Sequence, residues 1–166
     1  MDSLPTSAAA AAATADAARL GALERELLAR IPLARAMQIA VAAGDGESLT
    51  LAAPLAPNVN DKGCAFGGSL ASLMTLAGWG LIELAVGRRA LDCDIYVQDS
   101  AIDYLAPVWH DFVAVAQLAD GEDFDAFFAA LAARGKGRLR VRVHVPLPGG
   151  GTAATLGARF VAIAKR

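Results

Sequence analysis

Ser69-Leu70-Ala71-Ser72-Leu73-Met74-Thr75-Leu76-Ala77-Gly78-Trp79-Gly80-Leu81-Ile82-Glu83-Leu84-Ala85-Val86 is the stretch that decides the fold. Leu70, Leu73, Met74, Ala77, Leu81, Leu84 and Ala85 recur at the i, i+3, i+4, i+7 intervals of a continuous helical stripe. The opposite side carries Ser72, Thr75, Trp79, Ile82 and Val86, with Glu83 as its single charge. Such a helix cannot leave half its circumference in water, so it has to be covered nearly all round. Gly87 is placed to end it as a C-cap.

Strand patterns surround this helix. Met37 to Ala43 and Ser48 to Ala53 are short strand-like runs separated by the turn residues Gly44-Asp45-Gly46. Asp94 to Leu105, Phe112 to Leu118, Arg138 to Pro146 and Thr152 to Lys165 read as further strands, with a helix over Asp123 to Ala133. Phe124, Phe127, Phe128 and Leu131 give that helix a stripe that packs on the sheet. Ahead of the first strand, Leu20, Leu23, Leu27 and Leu28 define an amphipathic helix from Arg19 to Arg30, stopped by Pro32. The Ala8 to Ala13 run lacks the basic start and large apolar residues of a secretory signal, so residues 1–17 are expected to be a frayed tail before one domain over 18–166. The order predicts an α+β architecture in which one antiparallel sheet wraps a long central helix. A sheet covers only one side of that helix, and a second copy of the chain covers the other most economically, which predicts a homodimer or tetramer.

Composition narrows the function. With 166 residues, 55% of them hydrophobic, and a net charge of -2, the chain is neither disordered nor basic enough to attract a nucleic acid. Cys64 and Cys93 are too few for a disulfide framework and lack zinc-site spacing, which points to a reducing cytoplasm and no metal. The longest apolar stretch, Leu70 to Val86, barely reaches spanning length and contains Ser72, Thr75 and Glu83, so it reads as a buried helix and no membrane is expected.

The segment Asn58-Val59-Asn60-Asp61-Lys62-Gly63-Cys64-Ala65-Phe66-Gly67-Gly68-Ser69-Leu70, followed by Gly78-Trp79-Gly80, resembles the hot-dog thioesterase superfamily. Within it, the strings are similar to bacterial thioesterase domains found alone or fused behind an acetyltransferase. Ile102-Asp103-Tyr104-Leu105-Ala106-Pro107-Val108 extends the match with a Tyr-x-x-Pro segment, so the resemblance spans roughly residues 25 to 164. It implies a hot-dog fold and hydrolysis of acyl-CoA or acyl-carrier-protein thioesters in a tunnel between two subunits, without a cofactor. Independently, Gly67 and Gly68 at a helix start offer backbone N–H groups and the positive helix end to a developing oxyanion. Equally, the two glycines let the helix pack tightly on the sheet.

Two positions depart from the related enzymes. The histidine often found before the Gly-Gly pair is Phe66, and the helix carboxylate often found nine residues later is Thr75. Asp61 is then the nearest carboxylate, in the loop where another branch of the superfamily places its catalytic aspartate, and Asn60 beside it is suited to orient water or the carbonyl. An Asn-Asp pair is also ordinary turn chemistry. Ser72 and Thr75 lie three apart, placed either to hold the attacking water with Ser69 at the helix start or to bond a carbonyl one turn back. Asp99 and Ser100 sit in the strand expected near the partner's site, or simply at a sheet edge. Phe66 and Trp79 are candidates to wall the acyl chain. Arg138, with Arg140 and Arg142, lies on one face of a strand, which makes either a solvated outer face or a dock for CoA phosphates. Three functions follow: a hydrolase using Asp61, Asn60, Gly67, Gly68 and Thr75; a non-catalytic acyl-CoA or fatty-acyl binding module; and last a dehydratase, which the absence of histidine at Phe66 disfavours.

Overall fold

The computed structural model describes residues 7–165. Its elements run α1 (Ser7–Arg30), α2 (Pro32–Ala36), β1 (Ala40–Gly44), β2 (Ser48–Ala53), α3 (Gly67–Arg88), β3 (Cys93–Tyr104), β4 (Phe112–Leu118), α4 (Phe124–Arg134), β5 (Lys136–Pro146) and β6 (Thr152–Ala164). Six strands form one sheet in the order β1-β2-β4-β5-β6-β3, with every neighbouring pair antiparallel. Helix α3 packs against strands β2 to β6, so the expected α+β hot-dog architecture is the observed one.

The helix seats itself on the sheet through glycine. A Cβ on Gly78 would stand 2.9 Å from Val141 Cγ2 and 3.0 Å from Phe160 Cε2, and one on Gly80 2.7 Å from Leu49 Cδ2. The Gly-Trp-Gly string thus lets the helix backbone approach β2, β5 and β6 on either side of Trp79, at the propensity cost glycine carries inside a helix. The spanning-length question is settled by the same packing. The helix is long and apolar enough to cross a membrane by composition, but 61% of its most apolar window is buried inside the fold. It is the core helix.

Several boundaries differ from the sequence reading, each for a local reason. Residues 1–6 of the expected tail lie outside the described residues, whereas 7–17 form the first part of α1, in keeping with the high helix propensity of the alanine run. Strand β1 starts only at Ala40, because Pro32 opens the short α2 and Gln38 takes a left-handed φ of 56°. Gly87 is not the C-cap of α3. The helix runs on to Arg88, and Ala90 takes the left-handed turn at φ 52° while Ala90 N donates to Gly87 O and Leu91 N to Val86 O at 3.0 and 3.3 Å. The 44–46 turn behaves as read: Asp45 Oδ1 accepts from the amides of Glu47 and Ser48 at 2.9 and 2.8 Å.

Coverage of α3 is incomplete within one copy. Ile82 and Val86, read as belonging to its less apolar face, are buried, while Ser72, Thr75, Leu76, Trp79 and Glu83 remain half-buried. The adjacent sheet edge is strand β3, paired among the described residues only with β6 and exposing Tyr96, Val97 and Tyr104. A long exposed edge strand is a template for pairing with another strand. Helix α4 packs on the sheet, as its apolar stripe predicts: Phe127, Phe128 and Leu131 are buried, Asp123 caps its start and Gly135 its end.

Candidate functional site

The loop before α3 is a small, tightly bonded hairpin. Asn58 is 2% exposed and pins its base, with Nδ2 donating to Met37 O at 2.9 Å and Pro54 O at 2.8 Å. The Phe66 amide donates to Asn58 O at 2.7 Å, the Ala65 amide to Val108 O at 2.8 Å, and Val59 bridges Ala65. At the tip, Asn60 Oδ1 accepts from the Lys62 amide at 2.8 Å and Asn60 Nδ2 donates to Cys64 Sγ at 3.1 Å. Gly63, at φ 87°, makes the left-handed step that closes the turn.

This hairpin delivers the chain into α3 at an angle that leaves helix amides unused. Phe66 is the N-cap, in an extended conformation, and supplies no side-chain acceptor. The Ser69 and Leu70 amides both donate to Phe66 O, at 2.9 and 3.0 Å. The Gly67 and Gly68 amides find no acceptor among the described residues. Two adjacent donors at the positive end of a 22-residue helix form a ready site for negative charge on an oxygen. Phe66, 55% exposed, lays its ring against Gly68, and Tyr104 closes the other side, its hydroxyl donating to Gly67 O at 3.1 Å. A Gly67 Cβ would reach Tyr104 Cε1 at 3.4 Å, so ring and backbone are in contact.

The remaining candidates divide. Asp61 stands at the hairpin tip, 79% exposed at its side chain and held by Lys62 Nζ at 2.8 Å. Ser72 Oγ donates back to Gly68 O at 2.8 Å, so its hydroxyl is engaged by its own helix. Ser69 and Thr75 are half-buried, and Thr75 lies roughly 12 Å along the helix from Gly67 at 1.5 Å per residue. Asp99 and Ser100 are exposed on β3, and Asp99 pairs with Arg159 at 3.6 Å on the sheet face away from α3. Arg138 is on that same outer face, its Nε donating to Gln98 Oε1 at 3.0 Å. One copy therefore sets Phe66, Gly67 and Gly68 at the helix start and Asn60 and Asp61 in the hairpin that precedes it, with Asp61 turned out to solvent at the tip, and leaves Thr75, Trp79, Asp99, Ser100 and Arg138 elsewhere. Sequence reasoning missed Asn58 as the anchor and Tyr104 as the wall of the helix start. The Tyr-x-x-Pro segment was the signal for the second.

Trp79 does line a cavity, of about 410 Å³, between α1, α3 and the start of β3. Leu27, Ile31 and Ile95 make its apolar wall, and Glu83 faces Lys165, Arg30 and Glu26 in it. Burial, reinforced by the charge of Glu26, pushes the Glu83 carboxyl above the usual glutamate range. A carboxyl whose folded pKa is raised contributes stability at low pH that is lost as pH climbs through the folded value. Glu83→Gln is accordingly expected to raise the melting temperature at neutral pH and to leave it unchanged in mild acid, by thermal scans at fixed protein concentration. A lower midpoint at neutral pH would mean that Lys165 and Arg30 outweigh burial.

The family model described as "Putative thioesterase (yiiD_Cterm)" matches residues 20–164. The chain belongs to this thioesterase family. Among solved structures, the family member shares 30% identity with one described as a putative thioesterase from Shewanella oneidensis, covering 87% of this chain and 97% of that one at a TM-score of 0.78. A protein of unknown function from Chlorobaculum tepidum TLS is 26% identical over 87% and 94% of the two chains, with a TM-score of 0.81. A thioesterase from Haemophilus influenzae, 13% identical over 87% and 90% at a TM-score of 0.66, shares the hot-dog fold.

Proposed function

We propose that this thioesterase-family protein hydrolyses acyl-CoA or acyl-carrier-protein thioesters at a site completed by a second copy. The observation that carries this reading is the pair of unbonded Gly67 and Gly68 amides at the start of the buried helix, beside the exposed rings of Phe66 and Tyr104. An acyl carbonyl oxygen directed at those amides gains their hydrogen bonds as it becomes an oxyanion. Asp61 takes a proton from water as the water oxygen attacks the carbonyl carbon. Collapse of the tetrahedral intermediate breaks the C–S bond, and the proton passes to the departing thiolate.

The tunnel follows from the edge strand. Two copies of β3 related by a two-fold axis through their shared edge pair antiparallel, so Cys93–Tyr96 of one lies near the Tyr104 end of the other. That arrangement brings the Trp79 cavity of one copy beside Gly67 of the second and buries the half-exposed stripe Thr75, Leu76 and Trp79. Asn60 orients the water, Phe66 and Trp79 wall the acyl chain, and Ser69 and Ser100 flank the entrance, while Asp99, turned to the far sheet face with Arg159, takes no part. Cys64 and Cys93 are free thiols, in keeping with a cytoplasmic enzyme. The test is thiol release from a panel of acyl-CoAs, short, long and aromatic, with a thiol-reactive chromophore. Asp61→Asn is expected to lower turnover by about 10²- to 10⁴-fold while acyl-CoA still raises the melting temperature. Unchanged turnover would remove Asp61 from the mechanism.

A second reading, acyl-thioester binding without hydrolysis, is favoured by the exposure of Asp61 and its pairing with Lys62. Intact acyl-CoAs that nonetheless stabilise the protein would select it.

A further inference from the structure

The sheet face that points away from α3 holds a second concavity, of about 400 Å³, that thioester hydrolysis leaves unused. Its floor is Gly157, where a Cβ would meet nothing within 4 Å. The strand register sets Gly157 between Arg142 on β5 and Ala101 on β3, and in the next row sets Arg159 between Arg140 and Asp99. Three guanidinium groups therefore rise from two adjacent strands, at backbone separations of roughly 5 to 7 Å, around a floor with no side chain.

These arginines are under-used. Arg140 has no carboxylate partner among the described residues. Arg142 reaches Asp120, whose side chain is 87% exposed, and Arg159 reaches Asp99 only at 3.6 Å. Exposed ion pairs of this kind contribute little and are readily exchanged for a better anion. The chain as a whole carries a net charge of -2, so this positive groove is a local feature rather than a general basicity. Forked guanidinium donors at this spacing match adjacent phosphoryl groups, which accept several charge-assisted hydrogen bonds at once.

We propose that this groove binds a free nucleoside diphosphate through its two phosphoryl groups, at a site separate from the thioester site. The sheet itself separates them. Val141 and Phe160 face Gly78 of α3, while their chain neighbours Arg140, Arg142 and Arg159 point to the opposite side. The hydrogen-bonded β5-β6-β3 ladder stands between Gly67 and Arg142, and competition between ADP and acyl-CoA tests that the occupant is an independent molecule.

The test is calorimetric titration of the full chain with ADP, with adenosine as the control lacking phosphate. It is repeated on Arg140→Ala/Arg142→Ala and on Gly157→Leu, which fills the floor without removing charge. ADP is expected to bind, adenosine to fail, and added salt to weaken ADP. Each variant should lose affinity by about tenfold or more. Melting temperatures and thiol release of both variants should stay near wild type. Absence of ADP binding to the wild-type chain, or undiminished binding by both variants, overturns the site. A raised KM for acyl-CoA in both variants, with ADP competing against acyl-CoA, also overturns it, because the groove would then hold the substrate's own head group. A wild-type chain that binds ADP as expected but releases no thiol leaves this site standing and removes only the hydrolase reading.

Discussion

Gly67→Pro is expected to leave the fold standing and to lower thioester hydrolysis by about 10²- to 10³-fold, the loss that follows removal of one oxyanion donor. Gly67 is the first residue of α3, the helix position that proline tolerates best, because its missing N–H has no intrahelical partner there. The residue before a proline must be extended, and Phe66 already is, at φ -66° and ψ 132°. The carbonyl of Gly67 keeps its bond from the Tyr104 hydroxyl. The substitution thus deletes one hydrogen atom's worth of function with little else disturbed. Gly67→Ala is the companion: it retains the amide, and its Cβ meets Tyr104 Cε1 at a tolerable 3.4 Å, so most turnover should remain. Steady-state thiol release separates the pair. Equal turnover by the proline variant and wild type would mean that the Gly67 amide does not bind the oxyanion.

Gly78→Val carries the largest expected effect on stability. Its Cβ would be forced to 2.9 Å from Val141 Cγ2 and 3.0 Å from Phe160 Cε2, both buried in the core, and the valine methyls add further bulk against the sheet. Overpacking a close-packed interior costs 1–3 kcal/mol, and at this site we expect about 3 kcal/mol, a fall in melting temperature of roughly 6 to 12 °C for a chain of this size. Gly87→Ala supplies the contrast on the same helix. Gly87 is exposed with nothing within 4 Å of a Cβ, so alanine there should raise stability by about 0.5–1 kcal/mol. If both substitutions moved the midpoint alike, helix propensity rather than contact with the sheet would govern these glycines.

The two glycines also mark how far the sequence could be read. The apolar spacing from Leu70 to Ala85 identified the core helix, and Gly44-Asp45-Gly46 located the hairpin, because both signals are local and periodic. Gly87 misled as a cap because a helix end is decided by which residue accepts the left-handed turn, and Ala90 does so. The alternation of Arg138, Arg140 and Arg142 placed them together on one strand face, but choosing between the two faces of a sheet requires the crossing of α3, which no spacing contains. Tyr104 contacts Gly67 across thirty-seven positions, a pairing that only the register of β3 on β6 creates. The unbonded amides depended on the Phe66 backbone angles, again invisible in residue types.

The place of β3 in the sheet has a consequence for synthesis. This strand is made before β4, β5 and β6, yet its pairing partner in the chain is β6, with Tyr104 opposite Ala154 and Cys93 opposite Ala164. At 5 to 20 residues per second, the fifty residues between Tyr104 and Ala154 take roughly 3 to 10 s to emerge, while local collapse needs well under a millisecond. A nascent chain therefore carries α3 and an unpaired strand bearing Tyr96 and Val97 for seconds before the ladder that receives them exists. The β3 ladder can close only once Thr152–Ala164 has been made, and until then the unpaired strand is the segment most exposed to pairing with another chain.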